Sequence, residues 1–193
     1  MMRIILTYLF DRIFHCRSRA DELFTLRKRF ATAKSTKKVD KEIRAKAEEL
    51  RQLREAFIEM MGEVKACAKC ARNRPLSFGP WEGGFCCSGK TEHLFSDDEI
   101  AALLASKTRP QDLKAPRSGH YGCIFRGPKG CHLPAKHRPN ICVIYICDAL
   151  GKELVARKDH IPLRDIALQL KDEFAQFLIL ISNTDDDDDF DLF

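Results

Sequence analysis

Val39-Asp-Lys-Glu-Ile43-Arg-Ala-Lys46-Ala-Glu-Glu-Leu50-Arg-Gln-Leu53-Arg-Glu-Ala-Phe57-Ile-Glu-Met60-Met-Gly62-Glu-Val64 is the stretch whose reading decides the fold. Val39, Ile43, Leu50, Leu53, Phe57, Met60 and Val64 recur at alternating three- and four-residue steps, with Lys46 the one polar intruder. That spacing returns an apolar side chain to the same face at every turn. It holds for nearly four heptads without proline and with glycine only at position 62. The stretch predicts a long amphipathic helix and, with it, a mainly α fold. Such a stripe closes either on another helix of the same chain or on a partner. A protein partner or self-association through the 39–64 helix, as a coiled coil, is therefore one expectation.

Upstream, residues 3–32 read as helix, with Ile5, Leu9, Ile13, Phe14, Leu23, Leu26 and Phe30 as apolar positions. Lys34-Ser35-Thr36-Lys37-Lys38 is a polar break, so the helices on either side of it suggest an N-terminal helical hairpin, an arm over residues 1–65. The apolar run Ile4–Phe10 is ended by Asp11 and Arg12 and has no small-residue cleavage site after it. It is too short for a secretory leader or a membrane span, and so is Phe174–Ile181. No membrane span and a cytoplasmic location are expected. The net charge is +5; residues 1–65 hold 16 Lys and Arg against 10 Asp and Glu. Because those bases alternate with acids, they read as a solvated face rather than a binding patch.

Downstream, residues 72–92 are rich in Gly, Pro, Ser and Arg and read as loop. Ser96-Asp97-Asp98-Glu99 has the form of a capping box: the Ser96 hydroxyl would accept from the Glu99 N–H while the Glu99 carboxylate reaches back to the Ser96 N–H. A short helix to about Ser106 follows, with Ile100, Leu103 and Leu104 apolar. Pro110 and Pro116 bracket a loop. Residues 123–131 suggest a short β-hairpin turning on Gly127-Pro128-Lys129-Gly130. Ile141–Ile146 could be strand or helix. Pro162 sits where a first-turn proline belongs, ahead of a helix from Leu163 to about Ile181. The expected organisation is the arm, an irregular cysteine-rich metal-binding lobe over 66–150, a C-terminal helix over 151–182 packing on the core, and an acidic disordered tail over 183–193.

Nine cysteines in 193 residues are many, and eight of them fall between positions 67 and 147. In a reducing compartment such clustering points to metal rather than disulfides. In Cys67-Ala-Lys-Cys70, two intervening residues let both sulfurs reach one tetrahedral ion. Cys86-Cys87 lies between Gly83-Gly84 and Gly89, and glycine accepts the backbone bends that wrap an ion. Cys123 and Cys131 stand at the two ends of the expected hairpin, and Cys142 and Cys147 are five apart. Eight thiolates match two four-cysteine sites in number, and spacing leaves their grouping open. His132 and His137 are lesser ligand candidates. Cys16 stands apart as a core or free thiol.

The order of these features resembles the YkgJ-type eight-cysteine family of zinc- or iron-chelating proteins, over about residues 67–147. The resemblance rests on the paired start, the Cys86-Cys87 doublet, the acidic opening of the helix at Ser96, Gly122-Cys123-Ile124-Phe125, Gly130-Cys131, and Arg138-Pro139-x-x-Cys142 ending in Tyr145-Ile146-Cys147. The family opening is compact, Cys-x-x-Cys-x-x-Cys-Cys, whereas fifteen residues including Trp81 separate Cys70 from Cys86 here. The resemblance implies a metal centre and no particular reaction, although a related cysteine motif occurs in flagellin lysine N-methylases.

The leading expectation is thus a non-catalytic protein whose Cys67, Cys70, Cys86, Cys87, Cys123, Cys131, Cys142 and Cys147 hold zinc or iron, the iron singly or as an iron–sulfur cluster, in a structural centre. A redox or protein-modifying enzyme using an iron–sulfur centre is the alternative, with less support. The chain lacks a phosphate-cradling glycine loop, a Ser-His-Asp elbow and a His-Glu-x-x-His helix. A zinc-stabilised nucleic-acid-binding module near Lys129, Lys136, His137 and Arg138 is a third reading. Its spacing is wrong for Cys₂His₂ fingers and no aromatics interleave with the bases, so nucleic acid is not the expected partner.

Overall fold

The computed structural model describes residues 2–36, 40–72, 91–117, 123–127, 129–158 and 160–187. Among these residues the fold is mainly helical with one two-stranded antiparallel sheet, as expected. Helix α3 (Lys41–Met61) realises the 39–64 periodicity. Asp40 caps its N-terminus by accepting from the Ile43 N–H at 2.7 Å. Gly62 ends it at φ 59°, a left-handed value that glycine adopts without steric cost, and its N–H returns to the carbonyls of Ile58 and Glu59.

The buried face of α3 is Ile43, Ala47, Leu50, Arg54, Phe57 and Met61. It differs from the strict heptad reading, in which Leu53 and Met60 belong to the stripe; Leu53 is half-buried and Met60 exposed. A straight helix with 3.6 residues per turn drifts away from a seven-residue repeat. Here the drift brings an arginine into the centre of the stripe. The partner is helix α9 (His160–Asp187), which contributes Leu163, Leu170, Phe177 and Ile181 to the same core. Lys46 donates to Glu173 at 2.5 Å and to Gln176 at 3.1 Å, while Arg157, just before α9, reaches the Met61 carbonyl at 2.9 Å. The two helices therefore run antiparallel. The stripe that could have sought a partner is buried within the chain.

The expected helix over 3–32 is two helices, α1 (Met2–Phe14) and α2 (Arg17–Thr36), which double back at His15-Cys16. Neither proline nor glycine marks the break. Three contacts across the bend hold it: the buried Arg27–Asp11 ion pair, the Tyr8 hydroxyl donating to Asp21 at 2.7 Å, and the Tyr8 and Phe24 rings 4.8 Å apart. The N-terminal helical hairpin thus lies inside residues 2–36. Helix α2 turns Leu23, Leu26 and Phe30 into a second core with Phe95, Ile100, Leu103, Leu113, Ile124, Phe125 and Leu133. Phe95 is its keystone, 6.1 Å from the Phe30 ring and 5.7 Å from Phe125.

The short helix α5 (Thr91–Leu94) leads into α6 (Asp97–Ala105), which divides the two cores. Ala102 and Ala105 face the α3–α9 side; Ile100 and Leu103 face the α2 side. Half of the capping box forms: Ser96 accepts from the Glu99 N–H at 3.3 Å. The other half is replaced. Both Glu99 oxygens accept from the Asn140 N–H, at 2.9 and 3.0 Å, at the start of helix α7 (Asn140–Ile144). A carboxylate at that helix terminus satisfies amides that have no partner within the helix. Residues 141–144, open between strand and helix on sequence, are helical.

The hairpin pairs β1 (Arg126–Gly127) with β2 (Gly130–Cys131), placing Arg126 opposite Cys131. Gly130 sits at φ 115°, a conformation other residues rarely take. Helix α8 (Asp148–Arg157) lies at the start of the stretch 151–182 expected as one C-terminal helix, is separate from α9, and buries Leu150 and Leu154. Helix α9 starts ahead of Pro162 and continues through Asp187, beyond the expected boundary of the acidic tail at 183; residues 188–193 lie outside those described. No helix among the described residues is long and apolar enough to cross a membrane.

Candidate metal centre

Cys67 lies on helix α4 (Lys65–Arg72), an eight-residue element too short to persist alone. Glu153 of α8 anchors it, accepting from the Lys65 N–H at 2.9 Å and the Ala66 N–H at 2.7 Å. These two donors, Lys65 foremost, hold the Glu153 carboxyl below its ordinary range. Cys67 is half-buried and rests against the hairpin: a Cβ added to Gly130 would stand 3.5 Å from the Cys67 Cβ. Cys70 follows one turn later on α4, with its side chain outside those described.

Cys123 is buried, and burial pushes its thiol up to about 12. The Phe125 N–H opposes that shift, and the Thr91 hydroxyl does so more weakly. Cys131 lies near enough that its charge drives the Cys123 thiol further up. Thr91 is itself positioned by Glu22 of α2, which accepts from its N–H at 3.1 Å. These donors offset only part of the effect of burial, so the Cys123 sulfur is held as a thiol.

Arg138 joins this corner to the next cysteine. Its Nε donates to the Leu133 carbonyl at 2.6 Å and an Nη to the Cys131 carbonyl at 3.2 Å. The Arg-Pro pair therefore clamps the strand carrying Cys131 to the start of α7, on which half-buried Cys142 sits. Cys147 is the N-cap residue of α8 and packs with Cys67 against the α3–α9 core.

The fold thus brings Cys67 to the Cys123–Cys131 hairpin, ties α4 to the helix that begins after Cys147, and clamps the Cys142 helix to Cys131. Cys86 and Cys87 lie outside the described residues. Among the described residues no three His, Cys, Asp or Glu side chains close into a group that could hold a metal ion. His137 is turned to the Thr108 hydroxyl, its Nδ1 at 2.9 Å, and His132 is exposed. Cys16 is an exposed thiol at the α1–α2 bend, held below its ordinary range chiefly by the Ser18 hydroxyl.

Sequence reasoning missed Glu153, Thr91 and Glu22, because each acts through a backbone amide or a sulfur distant in the chain. Arg138 carried a signal in its Arg-Pro-x-x-Cys setting. No family model, curated protein or solved structure matches this chain.

Proposed function

We propose that the chain is a cytoplasmic metal-binding protein in which cysteines between 67 and 147 hold zinc or iron, the iron singly or as an iron–sulfur cluster, in a centre that stabilises the lobe. The observation that supports this reading is the packing of Cys67 against the hairpin that carries Cys123 and Cys131. Segments distant in sequence meet there through thiol-bearing positions. A closed thiolate centre there would cross-link those segments and add to the stability of the lobe, as structural metals do. The protein contributes the sulfurs, the Thr91 and Phe125 donors to Cys123, and the Glu153 anchor of α4.

Metal analysis and a visible spectrum of protein purified without oxygen test the proposal. Zinc without colour, or iron with sulfide and a brown spectrum, supports it and names the metal. Metal-free protein with the eight cysteines in disulfides overturns it. Cys142→Ser is expected to lower the metal content, and unchanged content removes Cys142 from the ligand set.

A further inference from the structure

Helix α1 is built inside out. Its inward face carries Ile4, Thr7, Tyr8 and Asp11, and it is held there by Asp11 on Arg27 and Tyr8 on Asp21, beside the Tyr8–Phe24 ring contact and buried Ile4. Its outward face carries Met2, Ile5, Leu6, Leu9, Phe10 and Ile13, exposed by 47% to 76%. Scattered apolar residues on a surface are ordinary, but six large ones contiguous on one helix face mark an interaction site.

The charges around the stripe say what covers it. At about 100° per residue, Arg3 and Arg12 fall on opposite edges of the apolar arc. Both are exposed, as is Arg17 just past the bend. The exposed Arg117 guanidinium lies 4.3 Å from the centre of the Phe14 ring, at the end of the helix. The sole carboxylate in residues 1–20 is Asp11, which is buried and paired. The nearest other one, Asp21, sits beside Arg12 and Arg17 on α2. An apolar arc bordered by arginines suits a helix lying in the interface of an anionic bilayer, with long cationic side chains reaching from its edges to the headgroups.

We propose that α1 is a monotopic anchor that docks the protein on anionic lipid surfaces, with Met2, Ile5, Leu6, Leu9, Phe10 and Ile13 immersed and Arg3, Arg12, Arg17 and Arg117 on the headgroups. The helix lies along the surface and does not cross it. Docking is independent of the cysteines.

The test is co-sedimentation of the full chain with vesicles of phosphatidylcholine alone or mixed with phosphatidylglycerol, at low and high salt, beside light scattering without lipid. Partition onto the mixed vesicles, weakened by salt, is expected. Leu6→Glu with Phe10→Glu should reduce it on the order of tenfold or more. These side chains face solvent, so the circular dichroism spectrum and metal content should not change. Arg3→Gln with Arg12→Gln should reduce partition and flatten its salt dependence. Failure of the full chain to bind mixed vesicles at low salt overturns the proposal, as does equal binding by Leu6→Glu/Phe10→Glu. A dimer that these glutamates dissolve, in a chain that ignores vesicles, assigns the face to a second copy and overturns it too.

Discussion

Arg54 stands in the α3 stripe where an apolar residue would make the simpler core, and it is fully buried. Its guanidinium donates to Asn140 Oδ1 at 3.1 Å and Ser106 Oγ at 3.3 Å, and burial brings its pKa down to about 10. Glu99 lies in the same layer and is pushed up to about 7, by burial first, against the pull of the Asn140 N–H and Arg54. Removing the arginine leaves Asn140 and Ser106 without that donor and Glu99 without its nearby positive charge. Arg54→Ala should therefore cost about 3–5 kcal/mol, read as a lowered urea midpoint at constant slope. The raised Glu99 pKa sets a direction for pH. Below 4.5 the carboxyl is protonated in both states; between 4.5 and 7 the unfolded chain releases the proton that the native state keeps. Stability should fall as pH rises through that window. Glu99→Gln, which does not titrate, should flatten the fall, and denaturation midpoints taken across the window will show whether it does. None of this layer was legible in the sequence. A heptad reading assigns Arg54 to a flank, and a capping box gives Glu99 a partner three residues away rather than one across the fold.

Elements around the cysteines are held by single side chains reaching their ends. Glu153→Ala removes the carboxylate from two amides of α4 and should cost about 0.5–2 kcal/mol. Under the proposed function its distinctive readout would be faster loss of metal to a chelator, because α4 carries Cys67. Gly130→Ala forces a Cβ onto a backbone at φ 115°, beside Cys67, and should loosen the hairpin, with a comparable change in metal retention if the proposed centre forms there. If either variant kept metal as well as the parent, the hairpin and α4 would not form one site. The hairpin itself was legible, since Gly-Pro-Lys-Gly between flanking cysteines is turn chemistry. The α1–α2 bend was not: residues 14–17 contain no breaker, and the ion pair that stabilises the bend joins positions 11 and 27. Helix α8 was not legible either, because its two buried leucines, Leu150 and Leu154, are too brief a period to mark a helix.

At the scale of the whole molecule, one apolar core joins α3 to α9, another joins α2 to the hairpin, and α6 is the wall they share. The mainly α class and the two longest apolar stripes were readable from periodicity. Their pairing was not, because a stripe announces that it needs a cover and not which helix supplies it. Phe177→Ala, fully buried in the α3–α9 core, should cost about 3–5 kcal/mol. Because α6 belongs to both cores, near-ultraviolet circular dichroism and amide exchange in α2 should report the same midpoint as exchange in α3. Two separate transitions would show that the wall does not couple them. The α3–α9 pairing also has a consequence for synthesis. Lys46 and Glu173 meet across 127 residues of chain. At cellular elongation rates the apolar face of α3 therefore waits roughly 6–25 s for the helix that covers it. During that interval it is an exposed sticky surface on a growing chain. Ribosome-bound chains arrested before His160 should be held by chaperones that recognise apolar segments, and chains released at full length should escape them.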